Sequence, residues 1–160
     1  MNLRIFCLCV VACIILRCDD YGSSGLAQTQ PSMQFSNRLD EFGNITCEDE
    51  MARLDNLSVH LQSNPGYQGY MIVYGGRRGK RDEARARAAR MKFYLVRIRG
   101  LSAERIITIN GGYREEQTTE LWLLPPGQPA PIPTPTVKAK DVRLRGRVKV
   151  RGYNCGAFIG

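Results

Sequence analysis

Two short apolar runs, Tyr70–Tyr74 and Ile106–Ile109, enclose a stretch with helical periodicity, and this order restricts the fold more than any other feature. The first run ends at Gly75-Gly76 and reads as a strand covered on both faces or nearly so. Between the runs, Ala84, Ala88, Met91, Leu95 and Ile98 recur at helical spacings and predict one buried stripe. Asp82 stands where a capping residue belongs. Gly100 fits the position just past the helix end, with Leu101 as its hydrophobic follower. A strand–helix–strand unit closes right-handed and makes its two strands parallel. Both strands therefore end at the same sheet edge, where the Gly-rich stretches 75–81 and 110–114 meet the N-terminus of the helix. Open α/β sheets favour ligands at that carboxyl edge.

The remaining elements follow from the same cues. Thr46 with Asp49 resembles a capping box and starts a helix at Cys47. Met51, Leu54, Leu57 and Leu61 form its stripe, and Asn64-Pro65-Gly66 stops it. Glu120–Leu124 is a last strand ended by Pro125-Pro126, Asn110-Gly111-Gly112 opens a turn, and 34–45 holds a weaker first strand. The predicted order is β-α-β-α-β-β, an α/β (α+β) fold. The folding unit is 28–125, about 100 residues, enough to bury a core without staples.

The two ends differ from this middle. Ile5–Leu16 is an apolar run preceded by Arg4, too short for a confident membrane span, and reads as a signal peptide over residues 1–27, cleaved after Ala27. Val10-Val11-Ala12-Cys13 offers lipoprotein processing at Cys13 as a second route. Either way the chain is expected to be exported, to the periplasm or outer envelope, with no transmembrane span in the mature form. Cleavage after Ala27 removes four of the six cysteines, leaving Cys47 and Cys155, which pair as a disulfide or stay free thiols. Residues 126–137 read as a stiff Pro-rich linker and 138–160 as a basic tail. Of the net charge of +8, the last 35 residues hold seven basic and one acidic side chain. In this tail Val142-Arg143-Leu144-Arg145 and Val148-Lys149-Val150-Arg151 alternate apolar with basic, a strand pattern with one charged face. It suits a partner's edge strand, an anionic surface or a solvated tail.

The residues that carry chemistry cluster at the predicted edge. Arg77, Arg78, Lys80, Arg81 and Arg114, set among glycines and a helix N-terminus, describe an anion site; Tyr113 lies in the same edge. A solvated basic loop is the plain alternative, and GxxxxGK[ST] is not present. Arg87 borders the buried stripe and needs a partner. It either pairs locally with Glu83, four residues before it, or points at the edge and holds a ligand carboxylate. His60 is the only histidine and no CxxC pair occurs, so neither a metal site nor a cofactor is expected. No nucleophile elbow or Ser/His/Asp arrangement is legible, so the chain is expected not to be an enzyme.

In order, Ala52-Arg53-Leu54-Asp55-Asn56-Leu57, Tyr70–Gly75, Arg87-Ala88 with Met91 and Tyr94-Leu95-Val96, Gly100–Ile106, and Gly112-Tyr113 with Glu120–Leu124 resemble the OmpA-like C-terminal domain. That family is a peptidoglycan-associating module of bacterial envelopes, and the resemblance covers about half the chain. It implies a two-layer sandwich with two helices on one face of the mixed sheet, and it implies that Arg87 binds the diaminopimelate carboxylate of the peptide stem. The family's aspartate after the second strand is replaced here by Gly75-Gly76-Arg77-Arg78, so a ligand ammonium meets arginines instead of its counter-charge. The expected function is therefore an envelope-binding module for peptidoglycan or another anionic envelope polymer, acting through 75–87 and 110–114. The alternative is contact with envelope proteins through the scaffold and basic tail. Export argues against nucleic acid.

Overall fold

A computed structural model describes residues 37–148. The expected signal peptide, Cys13 and Cys155 lie outside them. The elements in chain order are β1 (Arg38–Phe42), α1 (Cys47–Ser63), β2 (Gln68–Gly76), β3 (Arg78–Arg81), α2 (Glu83–Phe93), β4 (Ile106–Arg114), β5 (Thr118–Leu124) and β6 (Arg143–Arg147). The fold is α+β, as the element order predicts, with the two layers that the resemblance implies. A four-stranded sheet has the order β1-β5-β2-β4, with β2 and β4 parallel and the other neighbours antiparallel.

Alternation along the strands sets the two faces. Met71, Val73, Ile106 and Leu121 turn toward the helices and join Leu54, Leu57 and Leu61 of α1 with Met91 of α2 and Leu95 in one core cluster. Both helices thus lie on one face. On α1 the capping is as expected: the Thr46 hydroxyl accepts from the Asp49 N–H at 3.2 Å, and the helix starts at Cys47. At its far end Arg105 donates to the carbonyls of Leu61 (2.7 Å), Asn64 (2.8 Å) and Tyr67 (2.9 Å), a cation on the negative end of a helix.

Several local expectations are corrected. Asp82 does not cap α2: it has a left-handed backbone (φ 65°), makes no side-chain cap bond, and its carboxylate pairs with Arg147 at 3.0 Å. Ile98, expected at the end of the buried stripe, is 52% exposed. After Phe93 the chain continues as a π-helical turn, Tyr94–Ile98, whose wider winding carries later residues off the α-helical stripe. Leu95 stays fully buried. Gly100 takes the left-handed conformation (φ 70°) and Leu101 is buried behind it, as expected of that terminus.

The stretch expected to turn at 110–112 instead extends β4 to Arg114. Opposite Val73–Gly75, β4 inserts one extra residue, and Gly112 at φ 79° absorbs it. The bulge places Tyr113 beside Gly75 and sends Arg114 to the opposite sheet face, 3.7 Å above the Tyr74 ring.

The boundary expected at 125 does not separate a free linker and tail. The Thr134 N–H donates to the Tyr74 hydroxyl at 3.1 Å, and the Thr136 and Val137 N–H groups donate to the Tyr113 carbonyl at 3.0 Å. Val137 is buried, and β6 pairs in parallel with β3 as a second, two-stranded sheet. The prolines keep this segment extended, and its few free donors find acceptors on the domain. Val137→Ala should therefore lower the unfolding free energy by about 1–2 kcal/mol. An unchanged denaturation midpoint would show that 134–137 does not dock.

Candidate functional site

The parallel pair β2–β4 does bring the two predicted stretches together. Gly75, Gly76, Asn110, Gly112 and Tyr113 line a shallow hollow at the carboxyl edge, beside Ala84 and Arg85 at the start of α2. Leu144 of β6 closes its far side. Glu83 serves this edge as well, its carboxylate accepting from the Lys80 N–H at 3.0 Å.

The six proposed ligand residues do not all meet there. Arg78 and Lys80 are exposed on β3, and Lys80 together with the neighbouring Arg81 lines the hollow. Arg77 precedes them and pairs with the exposed Glu115 at 2.8 Å. Tyr113 lines the hollow. Arg114 is corrected: it is no rim cation but sits on the other face, bonded to Glu120 (2.5 Å) and Glu41 (2.9 Å) under the docked Thr134. Burial there lowers its pKa, but the Glu120 hydrogen bond and the nearby Tyr74 and Glu41 outweigh that and hold it above the ordinary arginine value.

Arg87 departs from both of its expected roles. It is 2% exposed, and its Nε donates at 2.9 Å to Glu50, not to Glu83. Arg90 shares the same buried carboxylate, with contacts of 2.7 and 2.8 Å. Arg87 is thus committed to the interior between α1 and α2, and its guanidinium is not presented at the carboxyl edge. Glu50 stands with Glu48 and Asp49 in the acidic first turn of α1, where a carboxylate ordinarily serves the helix dipole. Its i, i+4 relation to Leu54, a stripe residue, was the available sign that it faces inward.

Sequence reasoning also missed the second half of the basic surface. In the β3–β6 ladder Arg78 stands opposite Arg143 and Gly79 opposite Leu144. Arg78, Lys80, Arg143 and Arg145 consequently line one open groove on the ribbon. Lys140 and Asp141 continue it past Arg77. None of these four groove cations has an ion-pair partner within 4.0 Å among the described residues, whereas Arg77 and Arg147 do. The apolar–basic alternation of 142–145 was the signal, but alternation does not name the strand it pairs with.

No family model, curated protein or solved structure matches this chain. The chemistry of the edge is accordingly read from its own residues. Among the described residues no group of three or more His, Cys, Asp or Glu side chains is placed to hold a metal ion. No helix there is long and apolar enough to cross a membrane. Cys47 is disulfide-bonded, and the other cysteines lie outside the described residues. What the edge offers is positive charge arranged along a ribbon, beside a hollow where glycine backbone meets Lys80, Arg81, Glu83, Arg85 and Tyr113.

Proposed function

We propose that this domain is an exported cell-envelope module that binds an anionic envelope polymer, peptidoglycan or another polyanion, along the basic ribbon of β3 and β6. One observation carries the reading. Arg78 and Arg143 oppose each other across the ladder, with Lys80 and Arg145 beside them. Like charges in directly opposed strand positions destabilise a sheet unless something neutralises them. A two-stranded ribbon is marginal even without that repulsion. A linear polyanion lying in the groove offsets the repulsion by replacing the counterions of four cations at once.

The order of segments that resembles the OmpA-like domain, with two helices on one face of a mixed sheet, supports placement in the bacterial envelope. The stem-peptide chemistry of that family does not carry over residue by residue. Arg87 is spent on Glu50, and Arg77-Arg78 stand in place of the aspartate. The reading therefore favours carboxylate or phosphate groups with no ammonium beside them over a zwitterionic diaminopimelate centre.

The test is binding of the purified chain to sacculi, lipoteichoic acid and diaminopimelate muropeptides at low and physiological salt. Polyanion binding should weaken steeply with salt, because exposed charges are screened beyond about 8–10 Å near physiological ionic strength. Arg143→Glu with Arg145→Glu should abolish it while leaving the far-ultraviolet circular dichroism unchanged, and Arg87→Ala should alter stability only. Tight, salt-independent muropeptide binding that survives Arg143→Glu would overturn the assignment.

A further inference from the structure

The helices cover the sheet unevenly. Side chains alternate along a strand, so Thr108 and Asn110 share the helix-facing side of β4 with Ile106. Ile106 is buried, but Thr108 and Asn110 are exposed. The α2 residues beside them, Ala84 and Ala88, are small. A trough of about 260 Å³ is left between α2 and β4, lined also by Val73 and Ile109. Two cations lie on this side of α2, Arg85 and Lys92, at i and i+7. They differ in what they hold. Lys92 Nζ donates to the Ile106 carbonyl at 2.7 Å. Arg85 lines the trough and has no hydrogen-bond or ion-pair partner among the described residues.

We infer that the trough between α2 and β4 binds a small amphiphilic carboxylate, its apolar body on Val73, Ala84 and Ala88 and its carboxylate on Arg85. A pocket with an apolar lining and a few placed polar groups is the usual form of a small-molecule site. The polar groups here are of one kind. Asn110 Oδ1 accepts from the Gly112 N–H at 3.0 Å, which leaves its amide NH2 as a donor. The Thr108 hydroxyl and the Arg85 guanidinium donate as well, and an ionised carboxylate only accepts. The guanidinium fork takes a carboxylate with two parallel hydrogen bonds.

Charge and size select this occupant. No acidic side chain lines the trough, so a cationic or zwitterionic ligand would set its ammonium beside Arg85 with no counter-charge. The acids of the adjoining hollow are already engaged, Asp82 with Arg147 and Glu83 with the Lys80 N–H. The trough meets that hollow at Ala84, Arg85 and Asn110, so the carboxylate lies at the junction and the body extends along β4. The volume suits a short acyl chain or a single ring, not a polymer. None of the four ribbon cations lines the trough, and the inference does not depend on what the ribbon binds.

The test is titration of the isotope-labelled full chain with octanoate, and with octanol as the uncharged control, followed by amide chemical shifts. Octanoate should give saturable shifts at Ala84, Arg85, Ala88 and Ile109 below about 10 mM, and octanol should bind more weakly. Arg85 is exposed, so Arg85→Gln should leave a folded chain by circular dichroism. It should weaken octanoate by at least about tenfold, the scale of hydrogen bonds to a charged group, and leave octanol nearly unchanged. Ala88→Leu should fill the trough and remove both ligands; Thr108→Leu fills it from the strand side if the helix variant does not fold. Three results would each overturn the inference: no saturable shift at these amides, equal binding of octanoate and octanol, or octanoate binding that survives a folded filling variant. Octanoate binding that disappears with Arg143→Glu and Arg145→Glu would place the carboxylate on the ribbon and overturn it too.

Discussion

Glu50→Gln should lower the stability of the domain by about 3–5 kcal/mol, the usual cost of stranding one partner of a buried ion pair. Glu50 is 3% exposed and Arg87 is 2% exposed, so neither charge can turn to water once the pair is broken. The carboxylate accepts from Arg87 Nε and from Arg90, and the amide that replaces it keeps the shape but loses the charge. Arg87 Nη1 already has no hydrogen-bond partner among the described residues, which leaves the guanidinium little to fall back on. Urea denaturation measures the loss. The companion experiment is Glu50→Leu with Arg87→Met and Arg90→Met, which removes the carboxylate and both cations that share it and roughly keeps the volume. That triple variant should recover most of the stability, since apolar replacement of a buried ionic group is often neutral or better. If Glu50→Gln costs less than about 1 kcal/mol, the ion pair does not join α1 to α2.

Leu95→Ala should cost about 2–5 kcal/mol, the range for truncating a fully buried leucine, with the upper part reached where the cavity cannot collapse. Collapse is hindered here. Leu95 sits in the π-helical turn, and its carbonyl accepts from the Leu101 N–H at 3.0 Å as the chain leaves the helix. Its neighbours in the core come from both helices and the sheet, so no single element can move inward to fill the space. Calorimetry on the folded variant should show a depressed midpoint with a cooperative transition. A change within experimental error would mean that Leu95 is not at the centre of the core.

Most of the architecture was legible because it is written in local spacing. The stripe of α1, its Thr46 cap, the strands at 70–74 and 120–124, and the left-handed Gly100 are each decided within a few residues. Where a local signal met a competing one, it misled. Asp82 has the chemistry of a cap, but its backbone is left-handed between β3 and α2, and Arg147 takes the carboxylate. Asn110-Gly111-Gly112 has turn composition, yet the same glycines serve a bulge within a continuing strand. Ile98 kept the α-helical spacing where the helix had ceased to be α.

The candidate site divides along a similar line. Sequence by itself determined that two Gly-rich, basic stretches reach one edge, because a right-handed crossover leaves parallel strands no other arrangement. It also determined that Arg87 requires a partner, because a cation beside a buried stripe is not left unpaired. Only the tertiary structure decided who the partners are. Arg87 finds Glu50 from 37 residues away, whereas the sequence neighbour Glu83 turns back to Lys80. Arg114 crosses to the far face on the strength of one extra residue in β4. Residues 143–147, which alternation marks as a strand without naming its neighbour, close on 78–81 and double the basic surface. Periodicity and capping are local quantities, while ion pairing and ladder partners depend on which elements the folded core brings within a few ångströms of each other.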